Sequence, residues 1–151
     1  MPQLPDREFL TPSLRFEPLW RIAFQAPPED VERIMAAVGK VASLAIGNYD
    51  CCAYQTAPGT ERYRPLQGAA AGAETDIRLR PDIVEVSFQL AREEAMLTQV
   101  VEAIFAVHSY EEPVITVQDM LASRTHGPAD KDNPHRWWNQ GGDWKNAATS
   151  S

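Results

Sequence analysis

Six consecutive residues, His108-Ser109-Tyr110-Glu111-Glu112-Pro113, put an imidazole, a phenol and two carboxylates into one short connection. These groups suit two chemistries: ligation of a borderline divalent metal, or polar recognition of a small ligand. Pro113 pushes Glu112 out of the helical region and into extended geometry. The candidate ligand-binding residues are therefore His108, Tyr110, Glu111 and Glu112. For a metal, copper or zinc, the donor set is His108, Glu112 and the thiol of Cys52. The competing reading is structural: His108 caps helix carbonyls, Tyr110 packs, and the glutamates pair with basic side chains. Outside residues 108–113 there is no nucleophile–base pair or carboxylate pair, so no catalytic residue is assigned and a metal-dependent hydrolase has little to rest on.

Three other features carry chemistry. Cys51 and Cys52 are adjacent, and on a strand alternation would send their sulfurs to opposite faces, one into the core and one to a surface or interface. The Gly/Ala-rich stretch Gln67–Ala73 has backbone amides that can cradle an anion, yet it lacks the glycine-lysine pattern of a P-loop. His126 and His135 flank a Pro/Asp stretch, where they serve either as metal ligands or simply as polar residues.

The elements that must position these groups follow from periodicity. Leu19–Gln25 alternates as a first strand, with Trp20, Ile22 and Phe24 on one side. Pro27-Pro28-Glu29-Asp30 opens a helix that carries Val31, Ile34, Met35 and Val38 on one face and stops at Gly39. Tyr49–Thr56 and Thr60–Leu66 are expected to form a hairpin across a type II turn at Ala57-Pro58-Gly59-Thr60. Asp76–Pro81 reads as a charged connector. Ile83–Leu90 is a strand with Val84, Val86, Phe88 and Leu90 on one face. A second helix, from about Arg92 to Val107, buries Leu97, Val100, Val101, Ile104 and Val107. Val114–Asp119 is the last strand. This order predicts an α+β, ferredoxin-like βαββαβ sandwich, an antiparallel sheet with two helices on one face.

Around that domain, residues 19–121, the sequence predicts an arm at 1–18 with four prolines and a tail at 122–151. The tail holds Trp137, Trp138 and Trp144, and its rings are expected to be ordered against a folded surface. The formal charge of −7 arises in the body, where 8 basic residues face 15 acidic ones. An acidic body repels phosphate backbones, which argues against nucleic acid as a partner. There is no apolar run of membrane-spanning length and no secretory signal pattern, and two adjacent cysteines do not make a disulfide framework. The cytoplasm is the expected location, with no membrane partner.

Ala45-Ile46-Gly47-Asn48-Tyr49-Asp50-Cys51-Cys52, then Pro58-Gly59-Thr60, Arg64-Pro65-Leu66-Gln67-Gly68-Ala69 and His108–Pro113 resemble, in that order, the insert domain of one family. It is that of the dinuclear-metal ring proteins known as GTP cyclohydrolase I type 2 homologues. The CutA divalent-cation-tolerance family has a similar histidine-to-proline segment before its last strand. The match spans residues 19–121 and implies a PII/CutA-like module, here as a separate chain, that forms a homotrimer. It does not imply the parent activity, whose two-metal site lies in domains flanking the insert; this chain has only three histidines. Ser109 stands where the family usually has proline, the hairpin glycines are reduced to Gly59, and the Trp-rich tail has no counterpart. The function expected is a non-enzymatic sensor or regulatory module for a small ligand or divalent metal. The alternative is an interaction or scaffold protein that docks a partner through its tail.

Overall fold

The computed structural model describes residues 7–126 and 130–141. Two strands of thirteen residues carry the architecture: β2 (Leu14–Ala26) and β5 (Arg78–Leu90). They pair antiparallel from Trp20↔Leu90 to Ala26↔Val84. β6 (Ile115–Thr125) lies on the other side of β2, from Leu14↔Thr125 to Phe24↔Ile115. β1 (Phe9–Leu10) adds to the first half of β2, where Phe9 stacks on Phe16 with ring centroids 4.5 Å apart. β3 (Tyr54–Gln55) and β4 (Gly59–Tyr63) both pair with β5.

Helices α1 (Pro28–Gly39) and α2 (Glu94–Val107) cover one face of this sheet. α1 begins as the sequence predicts, with proline in its first turn and Glu29 and Asp30 at the positive end of its dipole. Ile22, Phe24, Val84, Val86, Phe88 and Leu90 face Val31, Ile34 and Val38 of α1 and Val100 and Ile104 of α2. Each fully buried side chain of this kind contributes roughly 1.5–3 kcal/mol. The fold is the expected α+β ferredoxin-like sandwich, and among the described residues its second sheet face has no α-helix over it.

Four local readings change. β2 begins at Leu14 rather than Leu19, because a strand tolerates proline wherever one side lacks a partner. Among the described residues the only strand beside Pro18 is β6. Residues assigned to the arm and the tail therefore pair with each other, Leu14–Glu17 against Ala122–Thr125. The expected hairpin is absent: β3 and β4 run the same way along β5, as one strand interrupted at residues 56–58. A type II turn needs a positive φ at Gly59, and among the described residues the glycines with positive φ are Gly47, Gly68 and Gly72 instead. The connector Asp76–Pro81 is mostly strand; the register slips by one residue between Gly59↔Ile83 and Glu61↔Arg80, and Asp82 takes φ 65° in the bulge.

Cys51 and Cys52 lie outside any strand, so alternation does not apply to them. Cys51 takes φ 55° and is exposed, and Cys52 is half-buried. In the tail, Trp137–Asn139 forms a single 3₁₀ turn with Trp137 and Trp138 62% and 48% exposed. The rings were expected to be covered, but this turn is held by polar bonds of its own. The indole N–H of Trp138 donates to Lys131 O (2.7 Å), and the Asn139 amide donates to Asn133 O (2.7 Å). Trp144 lies outside the described residues.

Candidate functional site

The His108–Pro113 segment is pinned before it meets any ligand. His108 N–H caps α2 by donating to Ile104 O (3.0 Å), and Arg33 Nε takes the last helical carbonyl, that of Val107 (2.9 Å). The His108 ring is committed at both nitrogens. Tyr110 N–H donates to Nδ1 (3.0 Å), which leaves the proton on Nε2, and Nε2–H donates to Gln25 O (2.8 Å). Ser109 donates its N–H to Asp30 Oδ2 (3.3 Å), and its hydroxyl donates to the same oxygen. Arg33 pairs with Asp30 Oδ1 at 2.8 Å. Asp30 is 4% exposed, and burial alone would raise its pKa. The hydrogen bonds from Ser109 and Arg33 outweigh burial and hold the carboxyl below its ordinary value.

Beyond this anchor the segment forms one wall of a cleft of about 560 Å³. The opposite wall is the ribbon of β4 and β5, which supplies Glu61, Tyr63 and Arg80, and the rim is Pro65 with the Gly/Ala-rich loop at Ala69 and Ala71. Tyr110 OH donates to Glu61 Oε1 (2.6 Å), and the Arg80 guanidinium sits 5.3 Å from the Tyr110 ring centroid. Burial first, and then the Glu61 contact, push the Tyr110 phenol far above its usual range against the opposing pull of Arg80. It therefore serves as a hydrogen-bond donor and not as a base. Ala70 N–H donates to Glu111 Oε1 (2.8 Å), which ties the loop to the segment. Gly68 at φ 100° and Gly72 at φ 80° let the chain turn on either side of that tie.

Tyr110, Glu111 and Glu112 thus share one cleft, and His108 stands behind it as a support. The donor set His108, Glu112 and Cys52 is not brought together. Both His108 nitrogens are bonded within the chain, and Cys52 lines a separate cavity with Arg21, Tyr54, Gln89 and Met120. Among the described residues no three His, Cys, Asp or Glu side chains converge as a metal centre. The Asp50 carboxylate raises the thiol pKa of exposed Cys51, which keeps it protonated. At His126 the ring Nε2 bonds Thr11 O (2.8 Å), and the backbone N–H donates to Ser13 O (2.8 Å).

Glu61, Arg80 and Asp30 were not singled out from the sequence. The signal available for Arg80 was the alternation Arg78-Leu79-Arg80, which places two guanidiniums on one face once this stretch is read as strand.

No family model matches the chain. It is 30% identical over 112 residues to the GTP cyclohydrolase 1 type 2 homolog of Bacillus subtilis, covering 73% of this chain and 29% of that protein. The resemblance read from the motifs is to this same protein group, and the chain spans less than a third of the relative's length. Among solved structures, the protein related to NIF3 from Bacillus cereus superposes with a TM-score of 0.59 at 21% identity, over 73% of this chain and 28% of that one. The divalent ion tolerance protein CutA1 of Ehrlichia chaffeensis gives a TM-score of 0.48 at 17% identity, over 76% and 86%. Among the described residues no helix is long and apolar enough to cross a membrane.

Proposed function

We propose that this chain is a self-associating, non-catalytic sensor or regulatory module that binds a small molecule in the cleft between the β4–β5 ribbon and the Tyr110–Glu112 segment. The carrying observation is the construction of that cleft. Three segments far apart in sequence are fixed around about 560 Å³ by Tyr110–Glu61 and Glu111–Ala70, while polar groups and apolar walls remain turned inward. The small-molecule reading is preferred to copper or zinc because His108 has no free ring nitrogen to offer. A homotrimer in a cytoplasmic setting belongs to the same proposal. Its support is the helix-free sheet face, where Gln89 Oε1 is buried with no hydrogen-bond partner among the described residues.

Native mass spectrometry of full-length protein purified without added metal tests both parts. The expected result is a trimer that retains a small organic molecule, and an Ala69→Trp variant that keeps the trimer and loses the molecule. A bare monomer at micromolar concentration, or retention unchanged in the variant, would overturn the proposal.

A second reading, docking through the tail, is favoured by one observation. Trp137 and Trp138 are exposed on a turn already ordered by its own hydrogen bonds, which reduces the entropy lost when aromatic anchors are buried by a partner. Pull-down of a specific protein by the full chain, abolished in the Trp137→Ala/Trp138→Ala double variant, would support that reading over the first.

A further inference from the structure

The cleft contains a guanidinium that its own neighbours decline. Glu61 and Arg80 are direct cross-strand partners, the position at which opposite charges ordinarily pair. They do not pair; Glu61 Oε1 instead accepts from Tyr110 OH. Arg78, one step along the same face of β5, shows the usual outcome: its Nε and Nη2 both donate to Glu74 at 2.6 Å. Arg80 instead lies over the Tyr110 ring, held in place by the stack, with its N–H fork free of any carboxylate among the described residues. A guanidinium fixed in this way is disposed to take a planar anion through two parallel hydrogen bonds.

The same cleft contains a carboxylate in the complementary condition. Glu111 is engaged by Ala70 N–H, but Glu112 has no hydrogen bond or ion pair among the described residues. The mixed charge of the lining disfavours singly charged occupants. An anion at Arg80 would bring its charge beside Glu61, Glu111 and Glu112, and a cation at Glu112 would face Arg62 and Arg80. A neutral pair of opposite charges meets neither penalty. Pro65, Ala69, Ala71 and Val114 line the rest of the space.

We propose that the cleft ligand is a small zwitterion, with its carboxylate on Arg80, its protonated amine on Glu112 and an apolar remainder against Pro65 and Val114. This rests on the reading of the cleft as a small-molecule site and specifies its charge pattern. Isothermal titration calorimetry on the full chain, freed of any retained molecule, tests it with L-leucine, N-acetyl-L-leucine and L-leucinamide as probes. Leucine should bind saturably at millimolar concentration, and each derivative, lacking one charge, should bind about tenfold or more weakly. Arg80→Gln should weaken leucine and N-acetyl-leucine without weakening leucinamide, and Glu112→Gln should do the converse. Equal binding of the three probes, an affinity insensitive to both variants, or no binding of any probe overturns the zwitterion assignment. Retention of some other molecule in the native mass spectrum would still leave the cleft itself as a binding site.

Discussion

The two halves of β5 belong to one strand yet live in different physical worlds. From Val84 to Leu90 the strand runs beside β2, with Val84, Val86, Phe88 and Leu90 each at most 6% exposed beneath the helices. From Arg78 to Asp82 it leaves β2 and pairs with β4 alone, as a two-stranded ribbon with Leu79 67% exposed. A ribbon of this kind has little stability of its own and offers unpaired backbone at its edges. The Pro81–Asp82 bulge divides the halves. Stability resides on one side of it, and the side chains able to recognise a ligand reside on the other.

Substitutions should separate the halves cleanly. The largest effect is expected in the covered half: Phe88→Ala should destabilise by about 3–5 kcal/mol in urea denaturation, while Leu79→Ala stays within about 0.5 kcal/mol. Comparable losses at both sites would mean that the ribbon is part of the core.

Next in size is the anchor behind the cleft. Asp30→Asn should cost about 1–3 kcal/mol at neutral pH by weakening charge-assisted bonds to Ser109 and Arg33. The folded carboxyl of Asp30 is held below its unfolded value, so its contribution is fully present above pH of about 4. It is lost as pH falls through the folded value. Stability of the wild type should therefore decline on the acid side, and the Asn variant should decline less over that range. Parallel acid limbs in the two proteins would remove Asp30 from the account.

Smaller still is Tyr110→Phe, expected to cost about 0.5–1.5 kcal/mol for the lost bond to Glu61. That change also frees Glu61 to pair with Arg80, so ligand affinity should fall by more than the stability loss alone implies. An affinity equal to the wild type would show that the phenol does not keep Arg80 available. The smallest effect belongs to the tail. Trp137→Ala and Trp138→Ala should each leave stability within about 0.5 kcal/mol, and iodide should quench both indoles readily in the native protein. Blue-shifted, protected emission compared with a chain truncated after Ser123 would place the rings against a surface.

What could be read from residue order alone follows the range of the forces involved. α1 was legible because Pro28, Glu29, Val31, Ile34 and Val38 announce a helix within a few residues of one another. The covered half of β5 was legible because alternation is equally local. Pro58-Gly59 was misread because the same dipeptide serves a hairpin turn and a strand interruption. The decision is made by a bulge at Asp82, more than twenty residues away. β2 was cut short because proline reads locally as a breaker, whereas its cost depends on which neighbours are present. In the site, the cluster 108–113 announced itself by composition. Glu61 and Arg80 did not, since their meaning arises only when β4 and β5 align. His108 was noticed for its chemistry, but both of its nitrogens turned out to be used in holding backbone.

The clasp between the ends of the sheet has a topological consequence. Leu14 lies opposite Thr125, and His126 N–H bonds Ser13 O at 2.8 Å, so the polypeptide enters and leaves the fold side by side. A unit built in this way can be spliced into a surface loop of a larger host with little distortion at the junctions, because the host has only to supply two adjacent points. For the same reason its ends can be joined and new ones opened elsewhere. A circular permutant that links Ser13 to His126 through a short spacer, without β1, and opens the chain within 67–73 should keep both helices and the pairing of β2 with β5 and β6.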